Sequence, residues 1–126
     1  MSGEIKVNAS LEVTNGNFKL PKLGASPQSI DQAVAGGGNP GMIVAVTAAG
    51  GTDIPSTGLT NVGWTFIRNM DLTNNVEYGP YVAATLHSFG LLKPGEAAVL
   101  RIKPGVAWHV IALVASCRVQ VVQVEA

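Results

Sequence analysis

Charge is scarce in this sequence. Only 13% of its residues are Asp, Glu, Lys or Arg, 8 basic against 8 acidic, where about 25% is usual. No run of Lys or Arg occurs, which argues against binding a nucleic-acid backbone, because phosphate neutralisation needs clustered positive charge. Cys117 is the sole cysteine, so an intramolecular disulfide is excluded, and its apolar surroundings make it read as a core thiol. The two histidines, His87 and His109, show no zinc-ligand spacing with Cys117. No apolar run reaches the roughly 18 residues of a membrane span; the longest, 106–117, is interrupted by His109 and Ser116. The opening "MSGEIKVNAS" lacks the basic and apolar regions of a secretory signal, and the chain is expected to be soluble and made in a cytoplasm.

Helix signals are scarce as well. Only "SPQSIDQAV", residues 26–34, has a cap and an early proline, and Gly36-Gly37-Gly38 would stop it after one or two turns. Elsewhere short runs rich in Val, Ile, Thr and aromatics alternate with Gly, Pro, Asn and Asp clusters, the pattern of an all-β fold. The expectation is one antiparallel β-sandwich over residues 1–126, with about eight strands and at most one short helix. Residues 1–40 would include an extended arm or loop.

Several local features can be placed. Thr14-Asn15-Gly16-Asn17 reads as a hairpin turn, because Asn and Gly tolerate positive φ, and Pro21 on the return run suggests an edge. "GMIVAVTA", 41–48, reads as a strand covered on both faces. In "VGWTFIRNM" alternation puts Val62, Trp64, Phe66, Arg68 and Met70 on one face, which the aromatics suggest is the core face. Gly79-Pro80 should break or bulge a strand. The last two runs, "VAWHVIALVAS" and "CRVQVVQVEA", should supply central strands.

Lys93-Pro94-Gly95 recurs ten residues later as Lys103-Pro104-Gly105. Proline presets φ at the second position of a turn and glycine supplies the positive φ that a type II turn needs at the third. The repeat therefore reads as two corners bounding the strand "EAAVLRI", with Ala98, Leu100 and Ile102 on one face.

Chemistry-bearing constellations are thin. His109 sits in an apolar strand, where packing or a hydrogen bond is its expected role, and a Cys117–His109 dyad would lack a third group. Asn69, Asp71, Thr73 and Asn75 alternate like calcium ligands, but the glycine and terminal glutamate of an EF-hand loop are missing and an Asx turn explains the stretch. "AGGGNPG", 35–41, has neither a P-loop lysine nor dinucleotide spacing and reads as a flexible connection. No enzyme, catalytic residue, cofactor or metal is expected.

The order "GWTFIRNMDLTNNVEYG", "SFGLLKPGEAAVLRIKPGVAW" and a β-branched terminus resembles small virion proteins of tailed bacteriophages. The resemblance rests on Trp64, Phe66, Asn69, Asp71, Asn74, Tyr78, Gly79, Leu92 to Glu96, Leu100, Arg101, Pro104 and Gly105, and covers about residues 62–126. It implies a jelly-roll-like sandwich that serves as a capsid decoration or cement protein. It further implies a virion location after assembly in the host cytoplasm, self-association, often as a trimer, and contact with a major capsid protein or another virion protein. Neither nucleic acid nor membrane is an expected partner. Phe18, Tyr78, Tyr81 and Phe89 are the interface candidates, aromatics being enriched at such contacts, with core packing the other role open to each. An accessory tail or fibre component, and a carbohydrate-binding β-sandwich that stacks Trp64 or Trp108 on a sugar, are the alternatives.

Overall fold

The computed structural model describes residues 5–8, 10–15, 18–24, 28–30, 38–55, 59 and 62–125, with side chains described for 7, 8, 41–55, 59 and 62–124. Among these residues the structure is all strand and turn, with no helix. The chain divides into two compact units, Met1–Ala35 and Gly36–Ala126.

In the first unit, β1 (Ile5–Val7) pairs with β4 (Gln28–Ile30) and β2 (Ser10–Asn15) with β3 (Phe18–Gly24), all antiparallel. The helix expected over 26–34 is thus replaced by a strand at Gln28–Ile30; three residues gain more from pairing with β1 than from a single costly helical turn. Asn15 faces Phe18 across the predicted hairpin. The register slips where Glu12 opposes Pro21 and Lys22, the place for a proline that cannot donate to a ladder.

The second unit is the sandwich. Its strands are β5 (Gly38–Ala45), β6 (Thr52–Asp53), β7 (Val62–Asn69), β8 (Val76–Val82), β9 (Thr85–Leu86), β10 (Gly90–Leu92), β11 (Ala97–Arg101), β12 (Trp108–Ala112) and β13 (Cys117–Glu125). Four antiparallel pairs, β5/β13, β6/β12, β7/β11 and β8/β10, make one long ribbon folded back on itself. Alternate pairs fall into opposite sheets, ordered β11-β7-β13-β5 and β10-β8-β12-β6, with β9 added beside β8. This is the strand order of an eight-stranded jelly roll. The described strands of the first 35 residues pair only with one another.

The core is shared by the two sheets. Ala45, Ile67, Cys117, Val119 and Val121 meet Val76, Tyr78, Leu92, Val110 and Ala112 from the other sheet, with Ile54 alongside. Full burial of side chains such as Ile67, Val110 and Val119 contributes about 1.5–3 kcal/mol each.

Four expectations about strands are corrected. On β7 the buried residues are Gly63, Thr65, Ile67 and Asn69, whereas Trp64 and Phe66 lie on the half-covered outer face and Arg68 is exposed. The bulk of the interior comes from Tyr78, Trp108 and Val110 of the other sheet, which leaves room only for smaller groups on the inner face of β7. β5 is an edge strand covered on one face, since Met42 and Val44 are 53% exposed while Ala45 is buried. Gly38-Asn39-Pro40-Gly41, expected as a flexible connection, is paired strand opposite Val121–Val124. At the sheet edge, missing side chains and a missing N–H obstruct nothing. β8 runs unbroken through Gly79-Pro80; a Cβ at Gly79 would collide with the His87 carbonyl of the returning chain.

Both Lys-Pro-Gly corners form as expected. Glu96 N donates to Lys93 O at 3.0 Å and Val106 N to Lys103 O at 3.4 Å, with φ of 82° at Gly95 and 86° at Gly105. Between them, β11 turns Ala98 and Leu100 inward opposite Ile67 and Thr65.

A different corner carries strain. Val82 pairs with Thr85 across a two-residue turn in which Ala83 and Ala84 have φ of 53° and 61°. Such turns favour Asn and Gly, because a Cβ in the left-handed region costs roughly 1–2 kcal/mol. Replacing Ala84 by Gly is expected to raise stability by about 0.5–1 kcal/mol, strain relief exceeding the extra unfolded-chain entropy of glycine. Thermal unfolding should show a gain of about 4 °C; an unchanged or lower midpoint would refute the strain.

Candidate functional site

The loops at 46–51, 70–75, 93–96 and 113–116 gather at one end of the sandwich, and those at 83–89 and 102–107 at the other, as alternation along a folded ribbon requires. Asn69 organises the first end. Its Nδ2 donates to Asn74 O at 2.9 Å and Leu92 O at 3.1 Å, and its Oδ1 accepts from Asp71 N at 3.0 Å. Asp71 Oδ2 accepts from the backbone N–H groups of Thr73 and Asn74, which hold its carboxyl below the usual carboxylate range. These oxygens cap turns rather than converge on a point. Among the described residues no three His, Cys, Asp or Glu side chains are placed to hold a metal ion.

The groups considered for catalysis are kept apart. Cys117 lies in the core, where burial pushes its thiol above the usual value and the Asp71 carboxylate adds in the same direction; its Sγ donates to Ala115 O at 3.2 Å. His109 belongs to the opposite sheet and faces outward on β12, while His87 is exposed. His109 Nδ1 lies 2.7 Å from Gly50 O, its Nε2 lies 3.5 Å from the Asp53 carboxylate, and its ring stacks on Tyr81 at 3.8 Å and 7°. These contacts clamp the 46–51 loop onto the outer face of the sheet, the hydrogen-bonded role expected for this histidine.

An aromatic group occupies the other end. Tyr78 stacks on Trp108 at 6.3 Å and 28°, and Phe89 lies 6.0 Å from Trp108, edge to face. Beside it opens a cleft of about 360 Å³, lined by Asp53, Ile54, Val62, Val106, Trp108 and Gln123, among others. Gln123 is 3% exposed and its Oε1 has no hydrogen-bond partner; the same holds for Oγ1 of Thr65, its cross-strand neighbour.

Among the interface candidates, Phe89 is 74% exposed. Tyr81 is half-buried against His109, and Tyr78 is in the core. Phe18 lies in β3, with its side chain outside the described residues. A second apolar surface was not anticipated. Met42, Val44 and Val99 are exposed on the outer face of the β11-β7-β13-β5 sheet, whose Phe66 and Val122 are half-covered. Leu72, 94% exposed, and Val114, 77% exposed, cap loops at the Asn69 end. Gln123 was legible in principle, because in "RVQVVQV" it alternates with Val119 and Val121 and so shares their inward face. Nothing local in the sequence marks Asp53. Compared with family models, curated proteins and solved structures, the chain has no match.

Proposed function

We propose that this chain is a non-enzymatic structural protein of a bacteriophage particle, a capsid decoration or cement protein that stabilises the head by contact between subunits. The observation that carries the reading is the exposed apolar side chains on one sheet face of a low-charge sandwich: Val99, Phe66 and Val122 form one cross-strand row, and Met42 and Val44 stand on the edge strand beside Gln120 and Arg118. Patches of this kind on soluble proteins mark association sites. The resemblance over residues 62–126 supports it, since its turn residues, Asn69, Asp71, Asn74, Lys93 to Glu96, Pro104 and Gly105, fall at the corners and strand ends of a jelly roll, an architecture used by viral capsid proteins. The sheet face contacts a second copy of the chain, and the oligomer so formed sits on the capsid lattice.

Light scattering after size-exclusion chromatography tests this. The wild-type protein should run as a homo-oligomer and sediment with purified phage heads. Val44→Asp and Val99→Asp should each weaken self-association by about 2 kcal/mol, roughly 30-fold, with circular dichroism unchanged. A wild-type monomer at its highest soluble concentration, or its absence from intact particles by mass spectrometry, would sink the reading.

A further inference from the structure

We propose that β11 is a self-pairing edge: β11 of a second copy adds to it antiparallel across a two-fold axis at Val99, joining two four-stranded sheets into one continuous sheet. This rests on the reading that copies of the chain associate, and adds to the sheet face a contact at the sheet's edge. The backbone shows which groups are free. Asn69 N donates to Glu96 O and Ile102 N to Gly63 O, both at 2.9 Å, so the even-numbered residues of this run turn their N–H and C=O groups toward β7. Ala97, Val99 and Arg101 therefore aim theirs at the open edge, where no described residue bonds to them.

The sandwich's other edge strands are blunted against such pairing. β6 has two residues and β10 three. β5 carries Pro40, which has no N–H to offer, and its Val44 carbonyl already accepts from Thr52 Oγ1 at 2.8 Å. β11 has five residues, with no proline and no bulge. Its sequence is also self-complementary. With Val99 on the axis, Ala97 pairs with Arg101 of the second copy, Val99 with its own mate and Arg101 with Ala97, and each pair exchanges two N–H···O=C bonds, as in any antiparallel ladder. Arg101 thus meets alanine and not its own counterpart, so no like charges are opposed. Val99, 49% exposed, meets its mate, and the cross-strand row Val99, Phe66, Val122 runs on into the same row of the second copy. A strand of another protein could bond the same backbone groups; the second copy is favoured because it continues this apolar row and sets no charge against a charge.

Hydrogen exchange of the full chain, read amide by amide by NMR at rising protein concentration, tests this without any substitution. The Ala97, Val99 and Arg101 amides should gain about tenfold or more protection as the oligomer forms. Its mass by light scattering should correspond to an even number of copies, as a two-fold contact requires. Val99→Pro keeps an apolar side chain on the sheet face and removes only an N–H that β7 does not use, a place where a strand tolerates proline. It should weaken the pairing by about tenfold or more and return the Ala97 and Arg101 amides to their exchange rates at low concentration, with the β7 amides still protected. An oligomer whose three edge amides stay unprotected would overturn edge pairing and leave the face contact standing. So would a trimer with no larger species, or a folded Val99→Pro protein that associates as the wild type does. A strict monomer at every concentration would overturn both readings.

Discussion

Replacing Asn69 by Ala is expected to cost the sandwich about 3 kcal/mol. The side chain is fully buried and makes three hydrogen bonds, to Asn74 O, Leu92 O and Asp71 N. Each is worth roughly 1 kcal/mol net, and removing the amide strands carbonyls that were desolvated to receive it. The backbone of the same residue donates to Glu96 O and accepts from Gly95 N, both at 2.9 Å, so the turn after β7 and the first Lys-Pro-Gly corner share one anchor. For a unit of this size the loss corresponds to a fall of about 12–24 °C in the unfolding midpoint. Asn75→Ala supplies the comparison. That residue stands in the same turn with no hydrogen bond from its side chain, and its replacement should stay within about 0.5 kcal/mol. Chemical denaturation of both variants measures the difference. Equal losses would mean that the turn's composition matters and the buried amide does not.

Turn chemistry was the most legible part of the sequence, because it is local. The two Lys-Pro-Gly corners, the Asp71 Asx turn and the edge position of Pro21 each follow from φ preferences and missing donors that a few neighbouring residues determine. The alternation of Ala98, Leu100 and Ile102 was legible too, since Arg101 and Lys103 mark the opposite face as wet. β7 shows where this stops. Alternation separates Trp64 and Phe66 from Thr65 and Ile67 correctly, but which set faces inward depends on how much space the other sheet leaves, and Tyr78 and Trp108 had already taken it. The same limit applies to Gln28–Ile30, whose strand exists only because β1 lies beside it. For the candidate site, Trp108 could be named in advance and the inward face of Gln123 could have been. Its meeting with Asp53, 70 residues earlier, is a product of the ribbon's rolling, which no local pattern encodes.

Gly51 offers the second large effect, and a way to separate strain from overlap. It sits in the loop between β5 and β6 with φ of 65°, where its N–H donates to Ala48 O at 3.0 Å. A Cβ there would run into the Val110 carbonyl and lie 3.0 Å from the Ile111 Cβ. Gly51→Ala therefore adds roughly 1–2 kcal/mol of left-handed strain to about 1–3 kcal/mol of overpacking against backbone that is held in the middle of a sheet. Relief requires the loop to lift, and lifting pulls Gly50 O from His109 Nδ1. The expected cost is about 3 kcal/mol, with a shift in the His109 ring resonances as the mark of the lost clamp. Gly105→Ala isolates the first contribution. Its φ is 86°, yet nothing lies within 4 Å of the added Cβ, so strain of about 1 kcal/mol is all it should show. If the two variants unfold at the same denaturant concentration, the loop is not pressed against β12 and the overlap contributes nothing; a gap of about 2 kcal/mol places Gly51 where packing, and not turn geometry alone, requires glycine.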